Sequence, residues 1–371
     1  MVLCNPILND AAIQDTMRKS GPYTFGSLFA GIGGICLGFS QAGFTIKWAN
    51  EIDKYACETY RYNEARIDPK LIISEGDIRD FHPPCIVDVL GGGFPCQPYS
   101  VAGRMGGLDD HRGRGRPMFE EIIRIAKEKR PKPRVIFLEN VGNLKTFDEG
   151  KTFKFIKREL RSAGYPYIID AVLNSKDYSG IAQFRNRIYI VAFKYKKDAD
   201  SFKSVYGNGL PRREIEVAFD EIVQKERVPL KYYYSKDDRR KCVSVRYEEH
   251  FVPYVVEKGV FYQYRRTKMR RNQNGLCPAL TASMGGGGHN VPIILDDKGI
   301  RKLTPKECLN VLGFPKWYKF PSEMADVHKY KQAGNSVSVP IIKSFAELIL
   351  KSLIDSDNKP DIKTQQPMKD E

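Results

Sequence analysis

Along the first half of the chain, short apolar runs alternate with stretches of helical spacing. Thr24 to Phe29, Thr45 to Ala49, Leu71 to Ser74, Ile86 to Leu90 and Val135 to Leu138 are five such runs, and Ile168 to Leu173 and Ile188 to Phe193 bring them to seven. Runs this short and this apolar predict buried strands. Met118 to Lys129 has helical spacing behind Pro117, which fits a first helical turn, and Lys151 to Ala163 is a second helix ended by Gly164. This alternation predicts an α/β fold, a doubly wound, mostly parallel sheet of Rossmann-like type. From about residue 196 to Pro292 the periodicity gives way to tyrosine-rich, charged sequence, which predicts a smaller, irregular, β-rich second domain. Helical spacing returns over Ile341 to Ile354. The expected division is an extension over 1–20, a first domain over 21–195, a second over 196–330, a returning segment over 331–355, and a polar tail over 356–371 with the composition of disorder.

Composition narrows the class. With 371 residues the chain can bury a sizeable core, and no apolar run approaches the ~18 residues of a membrane span. Met1 to Gly21 mixes Asn9, Asp10, Gln14, Asp15 and Arg18, unlike a secretory signal. Eight scattered cysteines without a CxxC pair argue against zinc and against a disulfide framework, and for a reducing, cytoplasmic setting. The five histidines are dispersed too, so no metal is expected. A net charge of +15 favours a polyanionic partner such as nucleic acid. Phe261 to Asn274 holds five basic residues, three aromatics and no acid, and Arg112, Arg114 and Arg116 alternate with glycines. Both clusters suit phosphates.

The candidate chemistry gathers where strands end. Ile86 to Leu90 runs into Gly91-Gly92-Gly93 and then Phe94-Pro95-Cys96-Gln97-Pro98-Tyr99-Ser100, which sets Cys96 just beyond a strand's carboxyl end, the usual site of chemistry in open α/β sheets. It reads as a nucleophile or as a small buried side chain. Phe29-Ala30-Gly31-Ile32-Gly33-Gly34 resembles a nucleotide-binding turn, but Cys36 replaces the third glycine, which favours a nucleoside without phosphates. Glu51, twenty residues after Gly31, is placed to meet ribose hydroxyls, and Asp77 the adenine edge; a tight turn and helix-capping carboxylates are the alternative. Glu139 follows the fifth run, either for function or as a cap. Arg185 and Arg187 share a face of an extended segment.

In order along the chain, FAGIGG (Phe29 to Gly34), GGFPCQPYS (Gly92 to Ser100), ENV (Glu139 to Val141), QFRNR (Gln183 to Arg187), RKLTPKECLNVLGFP (Arg301 to Pro315) and GNSV (Gly334 to Val337) resemble the DNA (cytosine-5)-methyltransferase family of the bacterial restriction–modification type. The resemblance implies a catalytic, cofactor-binding first domain, a target-recognition second domain and a cleft for double-stranded DNA. It implies S-adenosyl-L-methionine as cofactor, met by Phe29, Gly31, Gly34, Glu51, Ile52, Asp77, Ile78 and Asn335. Cys96 adds to cytosine C6, Glu139 holds N3 and the exocyclic amine, Arg187 lies near O2, and Arg185 supports the same pocket. The base must be flipped out of the duplex, and the loop Val101 to Arg116 is suited to close over it. Gln97, Ser100, Arg104, Arg112, Arg265, Arg266, Arg270, Arg271, Thr281, Gly286 and Gly287 are the DNA-contact candidates. Two positions depart from the family: Ser27, where an acidic residue is usual, and Ala279 of the Ala279-Leu280 pair, where Thr-Leu is usual. A prokaryotic or phage setting, a monomer, and a restriction endonuclease as functional partner are expected. The alternatives are a tRNA cytosine-5 methyltransferase and a non-catalytic DNA-binding regulator.

Overall fold

The computed structural model describes residues 23–95, 116–128, 131–225, 227–235, 247–265, 268–284 and 291–358. The seven apolar runs build one sheet: β1 (Thr24–Leu28), β2 (Thr45–Glu51), β3 (Ile72–Glu75), β4 (Val89–Gly92), β5 (Val135–Val141), β6 (Tyr167–Asn174) and β7 (Asn186–Phe193), in the order β3-β2-β1-β4-β5-β7-β6. β7 lies antiparallel between β5 and β6, and the remaining neighbours are parallel. Around the sheet run α1 (Gly34–Gln41), α2 (Lys54–Ile67), α3 (Arg116–Glu128), α4 (Lys151–Ser162) and α5 (Lys196–Tyr206). The expected helices are present, α3 with Pro117 as its second residue and α4 ending just before Gly164, whose φ of 97° is open to glycine.

Two expectations shift. β4 begins at Val89 and continues through Gly91 and Gly92, glycines that the sequence reading took as the end of the strand. A side chain at Gly91 would overlap the Phe25 ring, and a Cβ at Gly92 would stand 2.8 Å from the Leu28 carbonyl oxygen. Close packing against β1 therefore explains them, and Ile86, 43% exposed, lies before the strand. β3 is an edge strand, so Ile72 is 54% exposed where two-sided burial was expected.

A second, antiparallel sheet of β8 (Tyr262–Arg265), β9 (Lys268–Arg271), β10 (Ile293–Asp296) and β11 (Gly299–Lys302) has the order β11-β10-β8-β9. Its own core includes Tyr262, Tyr264, Ile293 and Ile300 with Phe251 and Val255. After it come α6 (Pro305–Val311), α7 (Asp326–Asn335) and α8 (Val339–Asn358). α8 packs on α1 and α5. It continues past Ile354, because polar residues there have internal partners: Arg134 donates to Asp198 and Asp357, and the Ser356 hydroxyl to Asp198. Ser356 and Asp357, read from sequence as the start of the tail, are thus anchored to Asp198 and Arg134. The expected extension over 1–20 and the rest of the tail lie outside the described residues.

A buried ion pair ties the smaller sheet to α6. Arg301 on β11 has no exposed surface and donates from both terminal nitrogens to Glu307 on α6, at 2.8 Å each, and from Nε to Asp296 at 2.6 Å. Glu307 also accepts from the Thr304 N–H, which closes a capping box that starts α6, and from the Gln224 N–H. Removing one partner of such a pair strands the other charge in the interior. Glu307→Ala should therefore cost about 3–5 kcal/mol, read as a lowered urea midpoint; a midpoint within error of the parent would contradict this role.

Candidate active site at the carboxyl ends of the parallel strands

Strand order reverses between β1 and β4, and open α/β sheets bind ligands at such a point, beyond the strands' carboxyl ends. β4 and β5 pair in parallel with Gly92 opposite Leu138, so the chain leaving β4 runs beside Glu139, as the sequence reading required. Glu139 lies inside β5 rather than after it, and it is buried. Its Oε1 stands 2.9 Å from Arg187 Nε on β7. A Cβ on Gly93 would come 3.5 Å from Glu139 Oε2, so this glycine keeps the carboxylate's flank open. Asn140 had no assigned role in the sequence reading beyond its place in ENV. Its Nδ2 donates to the Phe94 carbonyl at 3.1 Å, and its Oδ1 accepts from the Val141 N–H at 2.8 Å. It fixes the backbone two residues before Cys96. Cys96 itself lies outside the described residues, as do Gln97, Ser100, Arg104, Arg112, Arg266, Gly286 and Gly287.

The glycine turn after β1 forms the neighbouring cradle. Phe29 has φ 51° and Gly31 φ 55°. The left-handed conformation costs a non-glycine residue about 1–2 kcal/mol, so Phe29 is held there by its surroundings. A Cβ placed on Gly31 meets nothing within 4 Å, which leaves the turn open to a ligand. The Gly31 N–H donates to Glu51 Oε2 at 2.7 Å, and the Ile52 and Asp53 N–H groups donate to Oε1 at 2.9 Å each. A carboxylate offers about four acceptor sites, so Glu51 both ties the two loops together and keeps capacity for one more donor. Ile52, 64% exposed, presents an apolar face beside it. Asp77 accepts from the Arg79 backbone and guanidinium, and Arg79 holds its carboxyl down to about 2; with three donors it, too, keeps an acceptor site. Ile78 is buried in the core behind it.

From the other side, a Cβ on Gly34 would stand 2.9 Å from Ser336 Oγ, so the GNSV turn closes directly over the glycine turn, with Asn335 exposed at the end of α7. The Tyr318 hydroxyl donates to the Ile32 carbonyl and supports the same turn from below. Lys331 on α7 reaches Asp53, the cap of α2, at 2.6 Å. Ser27 is fully buried in β1 next to the Cys36 thiol, which burial pushes up to about 11. Cys36 is therefore a core side chain.

The basic stretch resolves into two faces. In the β8–β9 hairpin Gln263 lies opposite Arg270 and Arg265 opposite Lys268, so these four share the face away from the Tyr262 and Tyr264 core. Arg271 pairs with Tyr262 on the core side and is held by Glu257 at 2.6 Å. Period-two alternation already separated these residues in the sequence, and it also nominates Lys268. Arg185 is 2% exposed and does not line up beside Arg187: Nη1 donates to the Leu280 carbonyl at 3.0 Å and Nη2 to the Ser336 carbonyl. Thr281, half-buried, bonds to Ser283 through its hydroxyl at 3.1 Å.

Comparison with known proteins agrees with this arrangement. The model of the C-5 cytosine-specific DNA methylase family matches residues 23–351. The type II methyltransferase M.Bsp6I of Bacillus sp. (strain RFL6) is 43% identical over 332 residues, spanning 88% of this chain and 98% of that protein. M.HhaI of Haemophilus parahaemolyticus is 32% identical over 333 residues, 89% of this chain and 94% of that one. Among solved structures, the Dnmt2 methyltransferase of S. pombe superposes with a TM-score of 0.64 at 18% identity, covering 90% of this chain and 99% of that one, a likeness of fold. With the family model matched over residues 23–351, across both sheets, the chain belongs to the C-5 cytosine-specific DNA methylase family.

Proposed function

We propose that this protein methylates carbon 5 of one cytosine in a specific double-stranded DNA sequence, as the modification partner of a restriction endonuclease. The division into a catalytic part, a target-recognition part over roughly 196–330 and a returning segment belongs to the same reading. The observation that carries it is the Glu139–Arg187 pair, 2.9 Å apart and buried at the carboxyl end of the strands, beside the chain that leads into Cys96.

Cytosine C5 is a weak nucleophile until a group adds to C6. In this reading the Cys96 thiolate forms a bond to C6, and the ring electrons shift toward N3 and O2. Glu139 holds N3 and the exocyclic amine, while Arg187 stabilises charge at O2. Because Glu139 is buried and already paired with Arg187, the two need little reorganisation when that charge develops. S-adenosylmethionine supplies the electrophilic methyl group. Loss of the C5 proton to a base then re-forms the ring double bond and expels the thiolate. The open space at Gly31, the exposed face of Ile52 and the spare acceptor capacity of Glu51 fit a nucleoside. Gly34 and Asn335 complete the cradle. Arg265, Lys268, Arg270 and Thr281 are the described residues assigned to DNA; Arg271, held by Glu257, is removed from the base-reading set.

Cys96→Ala should abolish methyl transfer to unmethylated DNA, and the parent protein should be trapped covalently on duplexes carrying 5-fluorocytosine; turnover by the mutant, or transfer to tRNA but not DNA, would overturn this reading. Glu51→Ala should weaken S-adenosylmethionine binding by at least about 1.5–3 kcal/mol, because it also unties the Gly31 and Ile52 amides; unchanged affinity by calorimetry would remove Glu51 from the site. Alanine at Arg265, Lys268 or Arg270 should each lower the salt slope of DNA binding by about 1, and Arg271→Ala by clearly less. Equal effects across all four would discard the two-face assignment.

A further inference from the structure

We propose that Arg185 is a positioning residue: it fixes segment 277–284, which carries the DNA-contact candidate Thr281, against the Gly334–Ser336 turn, and through that contact it sets sequence discrimination. The inference rests on the reading of this chain as a site-specific DNA methyltransferase.

Three segments meet at this seam, and they are held by main-chain contacts. The Phe184 N–H donates to the Cys277 carbonyl at 2.9 Å, and the Cys277 N–H donates to the Ala182 carbonyl at 2.8 Å. The start of segment 277–284 is thus laced alongside the stretch that enters β7. The Arg185 side chain then spans what the backbone cannot reach, with one terminal nitrogen on the Leu280 carbonyl and the other on the Ser336 carbonyl. On the far side of the same seam, a Cβ on Gly334 would overlap the Thr281 carbonyl. The turn that covers the cofactor cradle and segment 277–284 are therefore in backbone-to-backbone contact, with a buried cation bridging them.

Arg185 and Arg187 divide their work. Arg187 faces Glu139, where the base is to be held. Arg185 instead commits two donors to main-chain oxygens of two distant segments. A buried guanidinium is tolerated only when its donors are satisfied, and its removal leaves buried carbonyls without partners. A planar fork can serve two carbonyls at once, whereas a lysine ammonium is a single point and cannot span both in the same geometry. Loosening the seam should leave phosphate contacts on the β8–β9 hairpin in place. What it should lose is the fixed angle at which 277–284 meets base edges.

The test uses plasmid DNA methylated by the full-length parent, Arg185→Lys and Gly334→Ala, followed by conversion sequencing that scores the cognate site and every single-base variant together. Both substitutions should raise the near-cognate to cognate methylation ratio at least tenfold and raise KM for DNA more than they lower kcat. Gly334→Ala perturbs the seam from the opposite side, so agreement between the two separates lost geometry from lost charge. If kcat falls while the ratio and KM stay at parental values, Arg185 acts on the base and the inference fails. An unchanged ratio in both variants overturns it as well. Absence of methylation by the parent would instead overturn the function on which the inference rests.

Discussion

The buried pair of Arg301 and Glu307 is the constraint on which much of the architecture depends. Its Coulombic attraction alone is a poor explanation, because desolvating two charges offsets most of what their proximity gains. Its effect lies in geometry. Glu307 simultaneously receives Arg301 from the second sheet, the Thr304 amide that starts α6, and the Gln224 amide from the preceding segment. From α6, the Lys306 ammonium donates to the Pro315, Lys316 and Tyr318 carbonyls, and burial brings that lysine down to about 8. Tyr318 in turn holds the Ile32 carbonyl of the glycine turn. Glu307 thus ties the smaller sheet to α6, and α6, through Lys306 and Tyr318, reaches the glycine turn after β1.

Most of the fold was legible in the sequence because the larger sheet is buried and its apolar runs are unambiguous. Where the reading slipped, packing supplied information that a linear pattern lacks. Gly91 and Gly92 looked like the end of a strand because glycine usually is; the Phe25 ring and the Leu28 carbonyl, remote in sequence, are what require them inside it. Ser356 and Asp357 looked like a solvated tail because their partners, Asp198 and Arg134, are far away in the chain.

The site was legible in part. Motif order placed Glu139 beside the strand that leads to Cys96, and the register of β4 and β5 agrees. The Arg79 contacts of Asp77 could not be read from the sequence, because a guanidinium two residues on can equally well face solvent. Arg185 and Arg187 appeared equivalent from their spacing, since alternation predicts a shared face only within a strand. Arg185 precedes β7, outside the region where that rule applies, and its side chain goes elsewhere. Asn140 was visible only as a letter in a motif, because a side-chain bond to a backbone carbonyl 46 residues away leaves no local signature.

The clamp at Arg185 has a bearing on how such a protein can diversify. Leu280 and Ser336 offer it main-chain oxygens, and Gly334 meets the Thr281 carbonyl in the same way. Every peptide bond carries that oxygen whatever the side chain attached to it. Exposed side chains along segment 277–284, such as Ser283, can therefore vary without dismantling the joint, whereas Cys277, Leu280 and Met284 are buried in the core. Substitution on the exposed face of this segment can thus proceed while the main-chain joint stays in place.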